Sequence, residues 1–358
     1  MINIDNLLIA FPVLILFIII STLINNEGKS IPYFTKGLGF FIIIITSILL
    51  AYSTGGPDKG GYGLRYVNAE DLYFFNGGYN FSTGGRNEFL WAYYALYLGK
   101  LFNNNIELCH LFTALVYCSS YYFFASKYFP SKICGYAILM VIGCLGFNNY
   151  GNNVIRSGLC LSFIILAFSI KNTLIQLLLC FIAINFHKSG LIPIGAFLIA
   201  SYYKKINYEI IWIYCLILSA LNLDLSPLFE MVGFLDNRID DYIINTESNS
   251  RFYHTGFRID FIIYSLAPIY ISKNAIKNLR IKNTTYLTIY NSYLIINSFW
   301  LLVIRAPFTD RFAYLSWFMI PFLTLYPYLN KKEFNNNPVT ICFILFIFIG
   351  INFILNLR

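Results

Sequence analysis

The stretch Ile182–Phe197, IAINFHKSGLIPIGAF, places His187 and Lys188 between two apolar segments. These segments extend over residues 173–186 and 189–203. An ionisable pair with so few polar neighbours is not typical of a surface loop. The pattern indicates two membrane helices joined by a short polar turn, and an ionisable residue at membrane depth is by default a functional candidate.

The composition of the whole chain supports a membrane protein. Of its 358 residues 58% are hydrophobic and only 12% are charged, about half the share usual in soluble domains. A bilayer core of about 30 Å needs about 20 helical residues to cross it. We therefore expect residues 1–358 to form a single all-α polytopic domain of about twelve transmembrane helices. The candidate spans are 7–24, 37–53, 107–126, 133–147, 157–171, 173–186, 189–203, 209–222, 257–272, 285–304, 312–329 and 339–357.

Two outer loops separate some of these spans. Residues 54–88 are rich in Gly pairs and aromatics, which favours a compact lid, and residues 89–102 form an amphipathic segment predicted to be an interfacial helix. Residues 223–256 form the second loop. Neither loop has a GxGxxG or P-loop pattern, so nucleotide binding has no support. We expect residues 7–24 to be a retained helix rather than a signal peptide, because no basic residue precedes them.

Charge is distributed unevenly between the two faces of this topology. One face receives thirteen basic and three acidic residues and is therefore predicted to be cytoplasmic, with both termini outside. Twelve of the 15 lysines fall on that face, whereas nine of the ten arginines fall on the other. Arginine recognises phosphate and carboxylate bidentately, so this split indicates an anionic ligand outside. Pairing of these arginines with acidic residues or lipid headgroups is the alternative.

Arg156 and His187 bracket one predicted helical hairpin. Each arm has about 15 residues, or about 22 Å, which is shorter than the membrane core. Both residues are therefore expected on the same side of the membrane. The alternatives are a helix-end anchor for Arg156, an interfacial hydrogen bond for His187, and a snorkelling side chain for Lys188.

A third polar segment is Val303–Phe318, VIRAPFTDRFAYLSWF, which contains Arg305, Asp310 and Arg311 in a short outer turn. These arginines either form a structural clamp with Asp310 or join Arg156 around a diphosphate. Arginines gathered in this way would neutralise a leaving group without a metal ion.

Asp58 and Glu88 are the acidic candidates for a general base or for positioning an acceptor hydroxyl. There is no DxD motif, so neither a metal nor another cofactor is predicted. The eight cysteines show no CxxC spacing and are expected to be small buried hydrophobes.

Three motifs, IRSGLCLSF from Ile155, FHKSGLI from Phe186 and TDRF from Thr309, resemble the EpsG-like branch of O-antigen and capsule polymerases, the Wzy type. The resemblance covers most of the chain. It extends to an early loop, GPDKGGY, which contains Asp58 and Tyr62, and to a Glu that opens the next segment, NEFLWAYY. Within the hairpin motifs Arg156, His187 and Ser189 match, but Ser157 stands where the family typically has Gln.

The resemblance implies a GT-C-type membrane glycosyltransferase of the bacterial inner membrane with its active site facing the periplasm. Its donor and its acceptor would both be undecaprenyl-diphosphate-linked glycans. The enzyme would be surrounded by membrane lipids, and its protein partner would be a chain-length regulator. No nucleic acid is implied. The alternatives are a lipid-linked oligosaccharide flippase and an O-antigen ligase.

The implied mechanism is direct displacement at the anomeric carbon of the donor. His187 or Asp58 would deprotonate the acceptor hydroxyl, and Glu88 is the further catalytic candidate. The expected contacts to the diphosphate and the glycan are Arg156, Arg305, Arg311, Ser189, Tyr62 and Arg65.

Overall fold

The computed structural model describes residues 4–25, 31–75, 78–79, 88–221, 256–305, 309–329 and 338–356. Regular structure in these ranges is almost entirely helical, apart from the two-residue strands β1, Phe74–Phe75, and β2, Gly78–Tyr79, which pair antiparallel. The prediction of a helical membrane protein is confirmed.

The helices fall into two compact units, Met1–Leu191 with Leu325–Arg358 (unit 1) and Ile192–Thr324 (unit 2). The first helices are α1 Ile4–Asn25, α2 Lys36–Tyr52, α3 Pro57–Val67, α4 Ala69–Tyr73, α5 Phe89–Leu101, α6 Ile106–Tyr128, α7 Cys134–Gly143, α8 Phe147–Asn152, α9 Ile155–Ser169 and α10 Thr173–Phe186. A 3-10 turn, Lys188–Gly190, follows. The remaining helices are α11 Leu191–Tyr202, α12 Tyr208–Ala220, α13 Ile259–Asn278, α14 Thr284–Leu302, α15 Thr309–Trp317, α16 Ile320–Leu329 and α17 Pro338–Asn356.

Four helical stretches of the described chain are long and apolar enough to cross a membrane: α1, α6, α15 with α16, and α17. Six shorter apolar helices of 10 to 17 residues accompany them. The protein is therefore a multi-pass membrane protein. Each of the twelve candidate spans coincides with helical residues, while the number that cross the bilayer, and the division into one domain with two outer loops, stay predictions.

Polar caps determine where several of these helices begin. The side chains of Thr35, Asn105, Asn172, Asn207 and Asn283 each accept a hydrogen bond from a backbone N–H in the first turn of the helix that follows. Such caps satisfy donors that have no partner within the helix.

In unit 1, α2 shows how apolar helices divide between the protein core and the surface. It packs on α6 and α7. Ile43 and Leu50 lie on its buried face, whereas Phe41 is 63% exposed on the other. A helix that is apolar all round is expected where the outer solvent is lipid. A Cβ on Gly39 would lie 2.4 Å from a side-chain carbon of Ile138, so glycine permits the close approach of α7.

The first outer loop is largely helical within its described residues. Helices α3 and α4 occupy most of residues 57–73, and α5 follows Glu88. Helix α3 packs on α5 and α6. A Cβ on Gly99 of α5 would lie 2.2 Å from the carbonyl oxygen of Tyr66, so only glycine allows this contact. The interfacial position of residues 89–102 stays a prediction, and nearly all of the second loop, 223–256, lies outside the described residues.

In unit 2, a buried polar network lies between α12, α13, α14 and α15. The Asn297 amide accepts a hydrogen bond from the Trp212 indole at 2.7 Å and donates to the hydroxyls of Ser265 and Ser316 at 3.2 and 3.1 Å. The Trp317 indole also donates to Ser265, at 2.8 Å. Because these side chains satisfy one another away from water, the network favours one packing arrangement of the helices.

All eight cysteines lie in described ranges and are free, and seven of them are buried. The expectation that they act as small buried hydrophobes rather than as a disulfide framework is therefore confirmed, with Cys180 the half-buried exception.

Candidate functional site

A stripe of three polar side chains runs along α3. Asp58, Tyr62 and Arg65 are spaced by four and three residues, so they share one helix face. Pro57 and Asp58 suit the first turn, and Arg65 suits the last turn by complementing the helix dipole. Helix α3 thus carries three of the sequence-predicted site residues side by side.

Arg156 and Glu88 form an ion pair at the centre of the site. The Arg156 side chain is 12% exposed and that of Glu88 only 5%. Arg156 also donates from Nε to the hydroxyl of Tyr62, at 3.2 Å. Arg156 therefore contacts both Glu88 and Tyr62, and each of these three residues was predicted from a different segment.

The second oxygen of Glu88 accepts a hydrogen bond from the backbone N–H of Lys188 at 3.3 Å. Glu88 therefore joins Arg156, at the start of α9, to the turn that follows α10. This contact agrees with the expectation that Arg156 and His187 lie at the same end of one hairpin. Lys188 itself is exposed, in keeping with the snorkelling alternative.

The turn at His187 is held closely against α9. The thiol of Cys160 donates to the carbonyl oxygen of His187 at 3.4 Å. A Cβ on Gly190 would lie 2.5 Å from the Cys160 sulfur, so glycine permits this approach. Within the turn, the backbone N–H of Ser189 donates to Nδ1 of His187 at 3.2 Å, and the Ser189 hydroxyl lies 2.7 Å from the same nitrogen.

The ring of Tyr62 lies near two guanidinium groups and belongs to an aromatic cluster. The Cζ atoms of Arg65 and Arg156 lie 5.2 and 5.7 Å from the centre of its ring. Trp91 contacts the same ring edge-on at 5.2 Å and donates from its indole nitrogen to the hydroxyl of Tyr73 at 3.0 Å. Within the described residues Arg65 makes no ion pair, so its charge is not compensated as that of Arg156 is.

Trp91 and Tyr73 were not predicted from the sequence as site residues. The signal for Trp91 was its place three residues after Glu88, on one face of α5. Tyr73 ends the short helix α4, and no pattern in the Gly-rich loop pointed to it. Both are buried and form the aromatic side of the site.

Lys59 was also missed, and it fixes the start of α3. Its ammonium is buried and donates to the carbonyl oxygens of Leu50, Ala51 and Ser53, the last carbonyls around the end of α2. Burial lowers the pKa of Lys59 to about 8, an effect that outweighs the opposing attraction of Asp5. In the sequence this residue counts only as one of the few lysines predicted on the outer face.

The C-terminal end of α8, just before Arg156, attaches to α2 and α3. The backbone N–H of Asp58 donates to the Asn153 side chain at 3.0 Å, and the Asn152 amide donates to the hydroxyl of Ser53 at 3.0 Å. These bonds hold Asp58 close to the start of α9, which carries Arg156.

The remaining predicted residues, Arg305 and Arg311, belong to unit 2. Arg305 donates weakly to the carbonyl oxygen of Ser219 at 3.4 Å, and its Cζ lies 5.5 Å from the centre of the Phe257 ring. Its Nε is buried and has no hydrogen-bond partner among the described residues. Because Arg156 belongs to unit 1, convergence of these arginines on one ligand stays a prediction.

Within the described ranges, no group of three or more His, Cys, Asp and Glu side chains is arranged to hold a metal ion. The described side chains of the site supply guanidinium, carboxylate, imidazole, hydroxyl and aromatic groups. Such groups bind anions and sugars, and they transfer protons.

The model of the EpsG family matches residues 36–357, which include every element of the site. No curated protein and no solved structure matches the chain.

Proposed function

Because the chain belongs to the EpsG family, we propose that this multi-pass membrane protein is a polysaccharide polymerase of the O-antigen type. In this proposal it joins undecaprenyl-diphosphate-linked oligosaccharide repeat units at the periplasmic face of the bacterial inner membrane. A GT-C-like architecture of about twelve membrane helices is part of the same proposal.

The observation that carries the proposal is the buried Glu88–Arg156 pair with Tyr62 and Arg65 beside it. Removing two charges from water costs free energy that their mutual attraction often fails to recover. Ionisable groups retained in an apolar protein of this kind therefore support a functional role.

The charges of the site are suited to an anionic substrate. Glu88 neutralises Arg156, whereas Arg65 keeps its positive charge within the described residues and is half-buried. A diphosphate that accepts hydrogen bonds from Arg65 would still lie within the field of Arg156. Preorganised donors of this kind stabilise negative charge as it develops on a leaving group.

The aromatic groups suit the other half of a lipid-linked glycan. Tyr62, Tyr73 and Trp91 form one cluster beside the guanidinium groups. Aromatic rings pack against the apolar faces of sugars while their polar atoms bond to hydroxyls. Because all three rings are buried, the sugar next to the diphosphate contacts only the edge of this cluster, on the side of Arg65 and Arg156.

The proposed reaction is a direct displacement. The oxygen of an acceptor sugar hydroxyl attacks the anomeric carbon of the donor, a glycosidic bond forms, and the bond from that carbon to the diphosphate oxygen breaks. The lipid diphosphate leaves with the electron pair. Asp58 or His187 accepts the hydroxyl proton.

Purified protein in lipid nanodiscs, incubated with a lipid-diphosphate-linked repeat unit, tests this function. We expect a ladder of products that differ by one repeat unit. The exposed Lys188→Ala variant is the matched control and should give the same ladder. Movement of the substrate between vesicle leaflets without bond formation would instead identify a flippase, and transfer of a preformed polymer to a different acceptor would identify a ligase. Either result would contradict the proposal.

A further inference from the structure

The hydrogen bonds of His187 determine which of its ring nitrogens carries the proton. His187 is the N-cap of the 3-10 turn Lys188–Gly190, with extended backbone angles of φ −160° and ψ 128°. Its Nδ1 accepts from the backbone N–H of Ser189 at 3.2 Å. A backbone N–H can only donate, so Nδ1 must present its lone pair to it.

A neutral imidazole has one nitrogen that accepts and one that donates. With Nδ1 committed as the acceptor, the proton resides on Nε2. The nearby Ser189 hydroxyl, 2.7 Å from Nδ1, is compatible with this form because its hydrogen rotates freely. A proton on Nδ1 would instead point two donors at each other across the cap.

Further contacts hold the backbone of this turn in its conformation. The preceding amide in the turn, Lys188 N–H, is held by Glu88. The carbonyl group of His187 is held by Cys160, and Gly190 lies against the same thiol. The cap therefore belongs to the ion-paired framework of the site and is fixed together with it.

From this geometry we infer that His187 acts in the reaction as a hydrogen-bond donor through Nε2–H rather than as the general base. The inference rests on the proposed polymerase function and names the chemistry of one residue within it. Nε2–H donates to an oxygen of the departing diphosphate and keeps its proton throughout. The proton of the acceptor hydroxyl passes to the carboxylate of Asp58, on the α3 face that also carries Tyr62, and the diphosphate leaves with the electrons of the broken bond.

Two substitutions separate the cap from the distal donor. In His187→Asn the short amide retains an oxygen that caps Ser189 N–H but has no group at the position of Nε2. In His187→Gln the longer side chain carries an amide N–H to that position. If His187 acts as a donor, the polymerisation rate of the Asn variant should fall about 100-fold, as for the loss of one oxyanion donor. The rate of the Gln variant should stay within about tenfold of the wild-type rate.

Both variants are first checked for membrane yield and a monodisperse profile, and the wild-type ladder verifies the proposed function independently of His187. Equal and near-complete loss of activity in folded Asn and Gln variants would overturn the donor role, because neither amide replaces a base.

A second readout does not depend on activity. The chain has three histidines, His110, His187 and His254, so ¹⁵N-histidine labelling gives a simple spectrum in which the His187→Gln variant identifies the His187 signals. We expect an unprotonated Nδ1 and a protonated Nε2 at neutral pH. The opposite tautomer would contradict the inference even if polymerisation is observed.

Discussion

The Arg156 guanidinium and the Glu88 carboxylate form a nearly inaccessible ion pair that joins the start of α9, the start of α5 and the His187 turn. Glu88 bonds Arg156 with one oxygen and the Lys188 amide with the other. A carboxylate engaged in this way positions other groups, and it is poorly suited to act as a general base.

The first prediction concerns the energetic coupling of this pair. Glu88→Gln or Arg156→Gln leaves one buried charge without its partner, and each should lower the free energy of unfolding by about 3 to 5 kcal/mol. The double variant Glu88→Gln/Arg156→Gln should recover much of that loss while remaining inactive. Unfolding of the detergent-solubilised proteins measures this, and losses that simply add in the double variant would show that the two residues are not coupled.

The second prediction separates the ring of Tyr62 from its hydroxyl. Tyr62→Phe keeps the aromatic face near Arg65 and Arg156 but removes the acceptor for Arg156 Nε. We expect polymerisation to fall about tenfold, the size of one hydrogen bond to a charged group. Tyr62→Ala removes both contributions and should be clearly slower than Phe when initial rates are compared. An Ala variant as active as the Phe variant would show that the ring has no role.

The third prediction follows from the buried Lys59. Its pKa is about 8 in the folded protein against its usual 10.5 when unfolded. Between these values the unfolded state binds the proton that the folded state has released, so the free energy of unfolding should rise as the pH increases from about 8 to 10.5. Below about pH 8 this contribution should be constant.

Thermal unfolding across this pH range measures the effect of Lys59. The Lys59→Met variant should be less stable at neutral pH, because the carbonyls at the end of α2 lose their donor, and it should lack the rise. A rise of the same size in both proteins would assign it to other groups.

The fourth prediction tests the close contact between α3 and α5. Gly99→Ala places a Cβ against the backbone of Tyr66, so α3 must shift and both stability and polymerisation should fall. Gly61→Ala is the matched control within α3, because a Cβ there meets no atom within 4 Å. It should raise the free energy of unfolding by up to about 1 kcal/mol through helix propensity. Equal effects of the two substitutions on activity would contradict the proposed contact.

Much of the fold was predictable because an apolar run of membrane-helix length has few alternatives to a helix. The same reasoning predicted a hairpin between Arg156 and His187. Its two short helices return the chain to the side of the membrane on which Arg156 lies. The contact of Glu88 with both arms could not be predicted, because it depends on how α5 packs on α10.

Helix α3 could not be predicted from its amino-acid composition. Gly60, Gly61 and Gly63 have low helix propensity and read as a loop. Gly63 is explained by packing, since a Cβ there would lie 3.0 Å from Ile106. Lys59 could not be recognised as buried from sequence, because its three acceptors are backbone carbonyls that any residue provides.

In the proposed function, the Glu88–Arg156 framework, with Tyr62 and His187, carries out glycan polymerisation. The most direct measurement is product length from purified protein supplied with a lipid-diphosphate-linked repeat unit, compared between the wild type and the folded Glu88→Gln/Arg156→Gln double variant. We predict a ladder from the wild type and only single repeat units from the double variant. Long-chain glycan from the double variant would contradict the claim.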